Sequence, residues 1–272
     1  MIYQHIQGAK VPALGYGTWQ IEGDTCREGV EHALAIGYRH IDTAQGYENE
    51  DQVGTGINNS GVPRDQIWLT SKLRPDWFDA DTARKRTEES LSKLQTDYLD
   101  LFLLHWPNDE VPLEETLGVM REFQDAGRIR HVGISNFTPT QMRKANDILR
   151  VFTNQVEYHP YLHQRFVRET AKDLGMLVTA YSPIAQGAVL DDPTLNEIGA
   201  AHGKSAVQVT LRWLIQQDDV AAIPKAASAS HRESNFDIFD FELSDDEMKA
   251  VHALEREQRL IESPYSPAWE RG

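Results

Sequence analysis

Four side chains suited to placing a proton on a developing alkoxide occur in the first half of the chain: Asp42, Tyr47, Lys72 and His105. Each follows a short apolar run or lies a few residues beyond one. Hydride added to a carbonyl carbon leaves an oxyanion that needs a proton. A phenol with a free pKa of about 10 donates poorly at neutral pH, and lowering it by two or three units takes roughly 3 to 4 kcal/mol in favour of phenolate. One ammonium about 4 Å away supplies a comparable amount at an effective dielectric near 20, with desolvation working against it. In such a group Lys72 acidifies Tyr47, Asp42 keeps Lys72 charged and in position, and a neutral His105 donates from Nε2 to orient the substrate oxygen. Singly these residues read as a loop or helix cap, a packed aromatic, a solvated end charge and a core histidine. Their joint placement is what points to chemistry.

The four converge only if the runs before them are neighbouring strands with a common open end. Eight such runs, at 13–17, 38–41, 67–70, 99–104, 132–134, 154–156, 177–180 and 220–223, alternate with segments of helical period. That alternation predicts parallel β-α units closing into a single (β/α)8 barrel over residues 1–272, since such barrels take about 250 residues. Thr25 with Glu28, Thr138 with Gln141, Ser205 with Gln208 and Ser244 with Glu247 have the spacing of capping boxes at helix starts. Gly37, Gly61, Gly127 and Gly175 stand where left-handed residues would end helices. Residues 2–6 and 10–13 flank Gln7-Gly8 and read as a β-hairpin that plugs the barrel floor. Residues 245–256 read as an extra C-terminal helix, followed by a tail, with Trp269 near its end, that either folds over the barrel mouth or frays.

In a barrel of this kind the active site lies at the C-terminal strand ends. Beyond the first four residues, Ser135 and Asn136 follow the fifth run, Gln155 ends the sixth, Tyr181 follows the seventh and Lys225 the eighth. Trp19 and Trp106 adjoin strand ends and are expected to wall the pocket, excluding water from a hydride transfer; Trp77 and Trp269 are further candidates.

The net charge of -15 repels nucleic acid and anionic membrane. No long apolar run or basic, apolar leader is evident, and the lone Cys26 cannot form an internal disulfide. A cytoplasmic protein, monomeric or weakly oligomeric, is expected. Gly15-Tyr16-Gly17 lacks the third glycine of a Rossmann fingerprint. His159 and His163 are separated by Pro160, which breaks the helical face a metal pair would use, so no metal site is expected. Asn136-Phe137-Thr138 fits a glycosylation acceptor only formally, and Cys26 reads as packed.

Gly37-Tyr38-Arg39-His40-Ile41-Asp42-Thr43-Ala44 with Tyr47, Asn49 and Glu50, then Leu103-Leu104-His105-Trp106-Pro107 and Val132-Gly133-Ile134-Ser135-Asn136-Phe137, resemble the aldo-keto reductase superfamily. Asn154-Gln155-Val156-Glu157-Tyr158-His159-Pro160 and Ile223-Pro224-Lys225 extend the resemblance over almost the whole chain. The length, the brief loop after Trp106 and the compact tail are most similar to the prokaryotic branch that includes 2,5-diketo-D-gluconic acid reductases. The resemblance implies a tetrad of Asp42, Tyr47, Lys72 and His105, with Tyr47 as proton donor. It implies NADPH, its nicotinamide stacked on Tyr181 and its carboxamide met by Ser135, Asn136 and Gln155. The pyrophosphate would fall to Ser182, Ile184, Gln186 and Gly187, and the adenosine phosphate end to Lys225, Ser228 and Asn235.

Two departures stand out. His231 and Ser234 occupy positions where the family usually has arginine and glutamate. Lys225 and Arg232 are left to clamp a 2′-phosphate, and NADH use becomes possible. Arg74 stands where many members carry a pocket tryptophan, and is either a magnet for a substrate carboxylate or a solvated rim residue. The implied substrates are small aldehydes, α-dicarbonyls, keto sugars and keto acids, with 2,5-diketogluconate-like and methylglyoxal-like compounds first. A slow-turnover redox sensor, like the β subunits of potassium channels, and a barrel lyase or isomerase acting on sugar phosphates are the alternatives.

Overall fold

A computed structural model describes residues 1–270. Strands β1 (Tyr3–Ile6) and β2 (Ala9–Pro12) pair antiparallel across Gln7 and Gly8, whose φ angles are 48° and 81°. A two-residue turn with both central residues left-handed matches the twist of the strands it joins. Strands β3 (Tyr16–Gly17), β4 (His40–Asp42), β5 (Trp68–Leu73), β6 (Leu99–Leu104), β7 (Ile129–Ser135), β8 (Thr153–Glu157), β9 (Leu177–Tyr181) and β10 (Val220–Ala222) form one parallel sheet in sequential order. Bridges from Leu14 to Ala222 and from Gly17 to Lys225 tie its two edges together. Gly15 N donates to Ala222 O at 2.8 Å and Gly17 N to Pro224 O at 3.1 Å. A Cβ on Gly17 would stand 2.8 Å from Ile223 O, so this seam requires glycine. The first expected strand, 13–17, is correspondingly broken: Leu14 bridges β10, while only Tyr16 and Gly17 pair with β4.

Around the sheet run α1 (Gly23–Ala35), α2 (Glu50–Asn59), α3 (Ala80–Lys93), α4 (Leu113–Asp125), α5 (Pro139–Ile148), α6 (Arg165–Leu174), α7 (Pro193–His202), α8 (Ala206–Ile215), α9 (Ala229–Phe236) and α10 (Asp245–His252). Capping boxes form at Thr138, Ser205 and Ser244, but not at Thr25. Helix α1 instead starts at Gly23 after an uncapped Glu22, because the buried stripe of Cys26, Val30, Ala33 and Leu34 sets the helix in place; Asp24 in the first turn complements its dipole. The four expected glycine stops all have positive φ, from 63° at Gly175 to 115° at Gly37.

Alternation along each strand divides the interior in two. In β6, Phe102 and Leu104 pack in the layer shared with the helices, whereas Leu101 and Leu103 join Trp68, Phe152, Leu177 and Ala221 in a second cluster. Ile6 and Val11 of the hairpin belong to this second cluster. Gln7 Nε2 also donates to Val151 O and Gly175 O, each at 2.9 Å, pinning the hairpin beneath the strands. The N-terminal end is thus filled with side chains, which leaves the carboxyl ends of the strands as the open face. After α10 the tail returns to that face: Leu260 N and Ile261 N donate to the buried carboxylate of Glu157, at the end of β8, at 2.8 and 3.1 Å. Among the described residues no helix is long and apolar enough to cross a membrane.

Candidate active site

A cleft of about 750 Å³ opens over the carboxyl ends of the strands. Asp42 closes β4, Tyr47 lies in the short turn that follows, Lys72 sits on β5, and His105 comes directly after β6. The strand register brings the four together although 63 positions separate the first from the last. Lys72 is fully buried and donates to Asp42 Oδ1 at 2.5 Å, to Thr43 O at 2.8 Å and to the Tyr47 hydroxyl at 3.2 Å. Asp42 Oδ2 accepts from Gln155 Nε2 at 2.8 Å, so both carboxylate oxygens are held. The rings of Tyr47 and His105 meet edge to face, 5.7 Å between centroids.

Burial is the largest influence on Lys72 and pulls its pKa down, but Asp42 and Tyr47 together push it above the ordinary lysine value, so the ammonium persists. For Tyr47 the balance differs from the sequence-based expectation. Burial, the largest influence, and the Asp42 charge together raise its pKa more than the neighbouring Lys72 lowers it, and the net direction is upward. The phenol therefore stays protonated, with its hydroxyl oxygen already on an ammonium that would stabilise the phenolate. His105 is held well below the usual histidine range by burial first and by Lys72 and Arg74 next, so its imidazole is neutral at physiological pH.

Ser135, Asn136, Gln155 and Tyr181 line the same cleft. Asn136 has φ of 64°, an excursion that turns its side chain to accept from the Tyr181 hydroxyl at 2.7 Å while donating to Ser135 Oγ at 3.0 Å and His105 O at 3.2 Å. The Tyr181 ring is thereby fixed in orientation. Beyond it, Ser182, Ala185, Gln186 and Gly187 all have positive φ and wind the chain into a tight loop, from which Ser182, Ile184 and Gln186 line the cleft. Lys225 lines it at the seam between β3 and β10, and Trp19 and Trp106 stand in its wall.

Several expected residues lie elsewhere. Arg232 is 6 % exposed and faces inward: its guanidinium donates to Ala226 O at 3.2 Å and Ala227 O at 2.8 Å, its Nε approaches His32 at 3.2 Å, and it lies over the Tyr16 ring. Arg232 does not line the cleft. Arg74 is also outside the lining, paired with Asp76 at 2.9 Å and resting over Trp77. Ser228 caps α9 by accepting from His231 N, Asn235 is buried on that helix, and Gly187 completes the loop; none of the three lines the cleft. Trp77 packs under Arg86 and Trp269 under Arg259, away from the pocket. Cys26 is buried, which pushes its thiol up to about 12. His159 bonds Glu157, and His163 lies beside Glu255. Sequence reasoning missed Ile261, Glu262 and Ser263, which form part of the cleft wall. The apolar periodicity of the core gives no signal for a tail held through its backbone amides.

A closed barrel carrying a buried ammonium, a phenol and a neutral imidazole in its mouth is built for oxidoreductase chemistry at a carbonyl. Residues 13–256 match the aldo/keto reductase family. Identity is 39 % over 263 residues with a glyoxal reductase of Bacillus subtilis strain 168, covering 94 % of both chains. It is also 39 % over 267 residues with the methylglyoxal reductase DkgB of Escherichia coli O157:H7, covering 96 % of this chain and 99 % of the relative. A crystal structure provisionally assigned as 2,5-diketo-D-gluconic acid reductase B superposes with a TM-score of 0.97 at 46 % identity, covering 100 % of this chain and 98 % of the other. The aldo-keto reductase of Bombyx mori in complex with NADP gives 0.90 at 31 % identity, with 98 % of each chain covered. This chain belongs to the aldo/keto reductase family and is an oxidoreductase.

Proposed function

We propose that this enzyme reduces small aldehydes and ketones to alcohols with NADPH, and that Tyr47 supplies the proton. The observation that carries the reading is the buried Lys72 ammonium, which touches Asp42 and the Tyr47 hydroxyl at once, with Tyr47 lining the cleft. Relatives named glyoxal reductase and methylglyoxal reductase, and a neighbour assigned to 2,5-diketo-D-gluconic acid, support α-dicarbonyls and keto sugars as the substrate class.

The residues present suit a nicotinamide dinucleotide. Gln155 uses its amide nitrogen on Asp42, and among the described residues its Oε1 has no hydrogen-bond partner, leaving an acceptor in the cleft for a carboxamide N–H. Ser135 and Asn136 would meet the rest of that group, and the fixed face of Tyr181 would take the flat ring. Ser182, Ile184 and Gln186 would wrap the pyrophosphate, and Lys225 would hold the adenosine phosphate end. The bound cofactor supplies hydride to the carbonyl carbon. His105 donates to the carbonyl oxygen and orients it, Tyr47 passes its proton to that oxygen as charge develops, and Lys72 stabilises the phenolate left behind.

Loss of NADPH absorbance with methylglyoxal measures the activity. Tyr47→Phe is expected to lower turnover by about 10²- to 10⁴-fold, the usual worth of a positioned acid, while NADPH still quenches tryptophan fluorescence. Turnover retained in that variant removes Tyr47 from the mechanism, and no NADPH oxidation with any of a panel of small carbonyls removes the whole reading.

A further inference from the structure

The stretch from Ile261 to Ser263 is clasped on both sides. Upstream, the buried Glu157 carboxylate accepts from Leu260 N and Ile261 N and is shared with His159 Nε2 at 3.0 Å. Downstream, Ser266 N donates to Ser263 O at 2.9 Å, and the Tyr265 hydroxyl donates to Asp76, the same carboxylate that pairs with Arg74. Glu262, exposed between these anchors, lines the cleft that also holds Tyr47, His105 and Trp106. Two other charged residues line it. Asp42 is neutralised by Lys72, and Lys225 sits at the β3–β10 seam, the cofactor's phosphate end in the proposed reading. Glu262 has no ion-pair partner among the described residues. Arg74, the one cation expected to draw an acidic substrate, is turned outside the lining and spent on Asp76. The cleft wall at Glu262 therefore carries a carboxylate with no ion-pair partner of its own among the described residues.

We infer that Glu262 is a specificity-determining residue that biases the pocket against carbonyl compounds bearing a carboxylate and toward neutral aldehydes and α-dicarbonyls. This deepens the proposed function and rests on it. Two like charges about 8 Å apart in a partly hydrated mouth, at an effective dielectric near 30, correspond to roughly a ten-fold penalty.

The test compares kcat/KM for size-matched pairs, succinic semialdehyde with butanal and 2-carboxybenzaldehyde with benzaldehyde. Glu262→Gln is expected to raise the acidic-to-neutral ratio about ten-fold. In the native enzyme, added salt should raise the same ratio by screening, and Glu262→Gln should flatten that trend. Arg74→Ala should not lower the ratio. An unchanged ratio in Glu262→Gln overturns the inference while leaving the reductase reading intact. Should that variant lose both activities, the salt series on the native enzyme decides, and a salt-independent ratio overturns the inference. Absence of NADPH oxidation with the neutral aldehydes would instead refute the reductase reading itself.

Discussion

Replacing Lys72 by methionine keeps most of the side-chain volume and removes the charge on which the proposed chemistry turns. The ammonium stands 3.2 Å from the Tyr47 oxygen. At an effective dielectric near 20, a unit charge at that separation favours phenolate by about 5 kcal/mol, or roughly 10³- to 10⁴-fold in rate. Lys72→Met should therefore lower single-turnover reduction, followed by stopped-flow loss of NADPH fluorescence, by that factor, with NADPH affinity little changed. It should also destabilise the fold by about 3 to 5 kcal/mol, since Asp42 is left as a buried charge without its partner. The two effects separate in the double variant Lys72→Met/Asp42→Asn. Neutralising both groups should recover most of the stability, because Gln155 and the new amide can still satisfy one another, but none of the rate. A loss below about ten-fold in a cooperatively folded Lys72→Met enzyme that binds NADPH normally would refute the argument that the ammonium stabilises the phenolate.

The rate of reduction should be nearly independent of pH across the neutral range. A proton donor acts in its protonated form, and burial raises Tyr47 above 10.0, so activity should fall only as pH climbs past about 10; His105, lowered well below 6.5, should lose its neutral form only on the acid side of that value. A limb near pH 8 in the profile of kcat would contradict both assignments. Arg232→Met should cost about 1.5 to 3 kcal/mol of stability, for lost charge-assisted bonds to Ala226 O and Ala227 O, and leave the preference between NADPH and NADH unchanged. Lys225→Ala, by contrast, should weaken NADPH more than NADH in fluorescence titrations, and a preference that collapses in Arg232→Met would show that its guanidinium reaches the cofactor after all.

The strand ends were legible from residue order because a parallel strand is a local object: an apolar run of a few residues with side chains alternating between two faces. Asp42, Lys72, His105, Ser135, Gln155 and Tyr181 could be placed on one rim once eight such runs were counted, and all six line or adjoin the cleft. Helix ends were legible for the same reason where Thr138, Ser205 and Ser244 cap their own helices, and failed at Thr25, where packing of the apolar stripe set the start of α1.

What residue order left open were the directions of long side chains and the balance of opposed energies. Arg232 and Arg74 have cationic heads that reach several ångströms either way from the backbone, so carbonyls near Ala226 and the carboxylate of Asp76 decided where each points. The pKa of Tyr47 depends on whether burial outweighs one ammonium, and the depth of a residue in a cleft is a property of the whole barrel. The tail is held by backbone amides on Glu157, more than a hundred positions away in the chain. Alternation and capping are short-range and written in neighbouring residues; charge compensation and the closing wall of the pocket arise between distant ones, and only the folded chain sets those distances.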